Sequence, residues 1–132
     1  MNTLDENILN EQRDLMKMWK MAVHQIGDDL GWKGMQDEEI IPLLHRLNRP
    51  TFFTRDGDFY HRKLCHSRYC LVYLDVGRYE VASFVRRLLR HHQFDTHAKR
   101  MGAVIRLFHG GLAVWYFHSE KENRFEWKQT KA

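Results

Sequence analysis

The chain has 132 residues, 43% of them apolar and 13% aromatic, which suits one folded domain with a modest core and excludes a disordered chain. Its apolar runs are only a few residues long, against the ~20 that a membrane helix needs, so no membrane-spanning protein is expected. The net charge is +4 with nine histidines uncounted.

The N-terminus, MNTLDENILNEQ, is acidic and polar, unlike a secretory leader, so a cytoplasmic protein with reduced Cys65 and Cys70 is expected. Residues 1–4 read as a short strand ending at Asp5. Residues 8–20 read as a helix, with Ile8, Leu15 and Trp19 on one stripe and Leu9 and Met16 beside it. A second strand spans residues 22–26. The glycine-rich GDDLGWKGMQ that follows is a loop. Asp37 opens a helix, DEEIIPLLHRL, whose early carboxylates suit a helix N-terminus and whose Ile40, Leu43, Leu44 and Leu47 supply an apolar face. Pro42 sits deep for a first-turn proline, so a distorted first turn or a displaced start is expected.

Residues 51–54 form the third strand, followed by the acidic turn Asp56-Gly57-Asp58. His61, Cys65, His66 and Cys70 fit no usual zinc spacing; Cys70 reads instead as the buried start of the strand CLVYLDV. Residues 78–92 form the clearest helix, with Val81, Phe84, Val85, Leu88 and Leu89 on its apolar face. His91, His92 and His97 suit a helix C-terminus better than a second metal cluster. Residues 103–108 and 112–118 flank HGG as a hairpin. Residues 1–119 are expected to form the domain and residues 120–132 a charged tail.

Strands alternating with helices imply an α/β fold with a mainly parallel central sheet, helices on both faces and a C-terminal hairpin at or near one edge. Ligands bind such sheets outside the carboxyl ends of the strands. Asp5, Asp28 and Asp29, Asp37, and Asp56 with Asp58 all fall on that rim. Each alone is explained by a helix cap or a turn. Together they repel one another unless a hard divalent cation joins them, and Mg2+ or Mn2+ on carboxylates suits phosphodiester hydrolysis. The positive charge gathers in Arg62, Lys63 and Arg68 and again in Arg86, Arg87 and Arg90, which suits a polyanion, although a solvated face explains any one of them.

LDEN at residues 4–7, DEEI at residues 37–40 and TRDGDF at residues 54–59, with Asp56 nineteen residues after Asp37, resemble a small bacterial branch of the PIN-like nucleases related to VapC-type toxins. The resemblance extends through CLVYLDV, VASFVRRLL and the hairpin. It implies a PIN-like three-layer α/β/α fold, Mg2+ or Mn2+ as cofactor and RNA as substrate. By position it assigns Asp5, Asp37 and Asp56 to the metal, with Asp58 as the second acid of the turn and Asp29 as a further ligand. Thr54 and Asn7 would orient ligands, and Arg55, Arg62, Lys63, Arg86, Arg87 and Arg90 would contact phosphates. The glutamate that larger PIN toxins carry in the first half of the domain has no counterpart here.

The function expected from sequence is therefore a metal-dependent ribonuclease, plausibly the toxin of a toxin–antitoxin pair with a cognate antitoxin protein. The alternative is a catalytically inactive PIN-like module that binds RNA or protein. A third reading makes Trp115 and Trp127 a homodimer interface, where hairpin core is the simpler role for both.

Overall fold

The computed structural model describes residues 1–127. Its strands are β1 (Asn2–Leu4), β2 (Val23–Gln25), β3 (Thr51–Thr54), β4 (Cys70–Leu74), β5 (Ala103–Phe108), β6 (Gly111–Tyr116) and β7 (Asn123–Phe125). Its α-helices are α1 (Asn10–Met18), α2 (Asp37–Arg46), α3 (Val81–Arg90) and the short α4 (His97–Arg100). The strands form one sheet in the order β2-β1-β3-β4-β5-β6-β7. The first five run parallel, and β6 and β7 add to the edge antiparallel.

Side-chain alternation divides the interior into two cores. Leu4, Phe53, Val72, Leu74, Ile105 and Leu107 face α1 and α3, while Phe52, Leu71 and Val104 face α2 and two 3₁₀ turns, Gly57–Phe59 and Arg62–Leu64. A strand buried on both faces has no polar side, which is why β4 reads as a nearly unbroken apolar run. The molecule is thus an α/β protein with a mostly parallel sheet between helical layers. Cys70 lies in the first core and Cys65 borders the second, so the sheet separates the two thiols.

Several boundaries differ from expectation. In α1 the buried positions are Gln12 and Met16, and Leu15 and Trp19 are only half-buried. Gln12 is tolerated because its Oε1 accepts from the Ala82 N–H, one of the donors that the first turn of α3 leaves unpaired. Pro42 neither displaces nor breaks α2. The helix begins at Asp37 behind a capping box between Gln36 and Glu39, and Pro42 lies on the exposed side, where the carbonyl it leaves unpaired faces water. Part of the stretch expected as a charged tail is built into the sheet. β7 pairs with β6, and Trp127 donates through Nε1 to the Phe108 carbonyl at 2.7 Å. The rest of that stretch, residues 128–132, lies outside the described residues. No described helix is long and apolar enough to cross a membrane.

Candidate metal centre

β1 and β3 are parallel neighbours inside the sheet, one strand in from the β2 edge, so the residues just past their carboxyl ends meet on one rim. Asp5 continues the β1 ladder by donating its N–H to the Phe53 carbonyl at 2.9 Å. Its carboxylate is held on both oxygens: Oδ1 accepts from Glu6 N at 2.7 Å and Oδ2 from Thr54 Oγ1 at 2.6 Å. The Thr54 hydroxyl in turn accepts from Asp56 N at 3.0 Å. One fully buried threonine therefore ties the end of β1 to the turn after β3. Asp56 caps the first 3₁₀ turn, its Oδ1 accepting from Asp58 N at 2.9 Å, and this folds Asp58 back toward the same spot.

Asp37 arrives from the helical layer on the same face as this turn, as the first residue of α2, where a negative charge is favoured by the helix N-terminus. Asp37, Asp56 and Asp58 each offer a carboxylate oxygen, and these atoms lie within 4.8 Å of one another. Asp37 and Asp58 are exposed and Asp56 half-buried, so the cluster opens to solvent. This group could hold a metal ion; Asp5 adjoins it through Thr54 and is not one of the three.

The electrostatics record the crowding. Burial, then the charges of Asp56 and Glu6, push the Asp5 carboxyl above the usual carboxylate range, against the hydrogen bonds from Thr54 and Glu6. Asp37 is also raised, by partial desolvation, by the neighbouring Asp56 carboxylate, and by the charges of Asp5 and Asp58. Hard oxygen donors in mutual repulsion fit a divalent cation in their chemistry.

Beside the acids lies a hollow of about 360 Å³ lined by Asp37, Glu38, Ile41, Asp58, Phe59 and Leu64. It has an apolar back and an acidic mouth.

The other sequence-predicted residues lie apart from this cluster. Asp29 accepts from Gln25 N at 2.7 Å and contacts His24 Nδ1 at 2.8 Å. Burial raises its pKa, but those hydrogen bonds and the imidazole outweigh it and the net shift is downward. It therefore fastens the loop after β2 and stands outside the three-acid group. Asn7 is exposed on the turn after Asp5. Arg55 is exposed beside Asp56 and donates through Nε to the Val76 carbonyl. Arg62 and Lys63 lie on the second 3₁₀ turn, with Arg62 reaching Glu120 at 3.7 Å. Arg86 stacks 3.6 Å over Trp19, and Arg87 covers Phe84 and Trp127. With Arg90 they sit on α3, in the layer opposite α2, so the sheet stands between them and the helix that brings Asp37.

Two supports went unread in the sequence. Glu6 accepts from Gly34 N at 2.8 Å, tying the turn after β1 to the loop that leads into α2. Gln25 is buried and donates to the carbonyls of Asp5 and Ile8, fixing the turn that follows β1. The readable signal was a glutamine at an inward position of a strand, in phase with Val23, where an apolar residue is the norm.

No family model, curated protein or solved structure matches the chain.

Proposed function

We propose that this protein is a PIN-like, metal-dependent ribonuclease with its active site at the Asp37–Asp56–Asp58 cluster. The observation that carries the reading is the convergence of three carboxylates, from α2 and from the turn after β3, within 4.8 Å on the carboxyl rim of a parallel sheet. Asp37, Asp56 and Asp58 would hold Mg2+ or Mn2+. When bound, such a cation supplies Lewis acidity to a phosphodiester and makes water acidic enough to attack at neutral pH. Asp37 and Asp56 bring the anionic oxygens together. Asp5, engaged on both oxygens, positions Asp56 through Thr54. Arg55, exposed next to Asp56, binds a phosphate, and the adjoining hollow gives room for a nucleotide. A cognate antitoxin is proposed as the protein partner, in the manner of the toxins that the sequence resembles.

The test is cleavage of a labelled single-stranded RNA with Mg2+ or Mn2+, and with excess chelator. Cleavage should require the metal. Outer partners of bound metals are worth 10–100-fold, so Asp56→Asn and Asp37→Asn should each lower the rate by at least about 100-fold. Full activity in either variant, or cleavage unaffected by chelator, refutes the assignment. RNA binding with no cleavage under any metal would make the chain a catalytically silent binding module.

A further inference from the structure

The sheet face that carries α2 changes character within two residues along each strand. Phe52, Leu71 and Val104 form one cross-strand row that is fully buried. The next row toward the carboxyl rim on the same face runs Thr54, Tyr73, Arg106, Ala113, Arg124, each the register partner of the one before. Thr54 and Ala113 are buried, Tyr73 and Arg106 are half-exposed, and Arg124 is exposed. Of the described α-helices only α2 belongs to the core on this face, and it lies toward the β2-β1-β3 side. From β4 outward no α-helix covers this row; the first 3₁₀ turn packs against it at Tyr73, and Tyr60 reaches across to Glu122.

The row is chemically mixed in a definite way. Tyr73 touches the acidic turn: a Cβ added to Gly57 would stand 3.2 Å from the Tyr73 ring carbon Cζ. Arg106 lies over the Phe108 ring at 4.5 Å and uses Nε and Nη2 on Asp75, and among the described residues its Nη1 has no partner. Arg124 contacts Glu122, which also accepts from the Tyr60 hydroxyl. Arg55 stands beside Asp56 at the inner end. Three guanidiniums and two partly exposed rings thus line a partly exposed stretch of the sheet that starts at the candidate metal centre. Four strand intervals of about 4.8 Å give it a length of ~19 Å.

We infer that this row is the binding track for single-stranded RNA leading to and from the acidic cluster. Tyr73 and Phe108 stack unpaired bases, and Arg55, Arg106 and Arg124 contact phosphates. Flat rings alternating with guanidiniums on a sheet suit splayed single-stranded bases, and a paired duplex would hide the faces these rings need. That the ligand is RNA rests on the ribonuclease reading above; the location of the track rests on the register and exposure of these side chains.

The experiment measures equilibrium binding of a fluorescent 12-nucleotide RNA in chelator, so cleavage is not involved. The same strand annealed to its complement is the second ligand. Single-stranded RNA should bind at least about 10-fold more tightly than the duplex. Tyr73→Leu and Phe108→Leu should each weaken it ~10-fold. Arg106→Gln and Arg124→Gln should each lower the slope of log K against log[salt] by about 0.7. Arg124 is exposed, so its variant keeps the test open if a ring substitution perturbs folding, and ultraviolet crosslinking of wild type should place RNA on Tyr73 or Phe108. Lys17→Gln, on α1, should change nothing. Equal affinity for duplex, or loss of binding with Arg87→Gln and Arg90→Gln but not with the track variants, overturns the proposal. If the track variants weaken binding while the protein never cleaves, the nuclease reading fails alone. If metal-dependent cleavage persists with track variants that bind normally, the track fails alone.

Discussion

Replacing Asp37 by asparagine should make the metal-free protein more stable, even though it removes a charge from the favoured end of a helix. The neighbouring Asp56 and Asp58 oxygens are no more than 4.8 Å away. Asp37 is exposed, so water is the relevant dielectric, and each repulsion is then ~0.9 kcal/mol, or ~1.7 for both. A Debye length of about 10 Å at 0.1 M salt reduces the pair to ~1.1 kcal/mol. The lost helix N-terminal attraction returns ~0.5 kcal/mol to the other side. The net gain of roughly 0.5 kcal/mol should raise the melting temperature by ~2 °C in chelator for a domain of this size. Added Mg2+ or Mn2+ should stabilise wild type by ~2.7 kcal/mol at 100 times its Kd, and Asp37→Asn should lose most of that gain. Thermal melts with and without metal read both effects. A variant that melts below wild type in chelator, or that keeps the full metal-dependent gain, would refute the argument that these three carboxylates form an unneutralised ligand set.

The pH dependence follows with a definite sign. Asp5 and Asp37 have folded pKa values above 3.8, so their favourable contribution is present below that pH and is lost as pH rises through the folded values. The stability gap between Asp37→Asn and metal-free wild type should therefore widen from about pH 4 upward in urea titrations. Thr54→Val keeps the shape but leaves Asp5 Oδ2 and Asp56 N without their partner, and should cost about 2–4 kcal/mol in urea unfolding, whereas Thr54→Ser should recover most of it. Pro42→Ala restores an N–H inside α2 at an exposed position and should stabilise by about 1–2 kcal/mol, read as a higher melting temperature. Gly111→Ala would place a Cβ 2.6 Å from the Phe125 carbonyl oxygen, and should cost about 1–3 kcal/mol and loosen β7, read by amide exchange at residues 123–125.

The strands and helices were legible because their apolar residues repeat at the period of their burial. β4 showed itself as an unbroken apolar run, and α3 by its Val81-Phe84-Val85-Leu88 stripe. The acidic rim followed from topology alone, since turns after neighbouring parallel strands must share an edge. Sequence did not reveal which acids converge. Asp29 and Asp5 look alike in sequence, yet one is taken up by His24 and Gln25 while the other sits against Thr54, and only the turn geometry decides. β7 was hidden because its three residues alternate polar, charged and aromatic at a sheet edge, where no core dictates a pattern. The α3 arginines read as a basic patch, but Arg86 and Arg87 lie over aromatic rings, a use of charge that spacing cannot distinguish from a free one.

The hydroxyl of Thr54 joins residues 49 positions apart in the chain, because β1 takes its place between β2 and β3 only after both have been made. Closing that loop is an entropic cost that must be met before any contact at the rim is gained. A growing chain consequently carries Asp5 out of the ribosome long before Asp56 and Asp58 exist for it to meet. Fragments that end before residue 58 carry Asp5, Asp37 and Asp56 but lack Asp58, so the three-acid cluster stays incomplete until the turn after β3 has been made and the sheet has formed around its first strand.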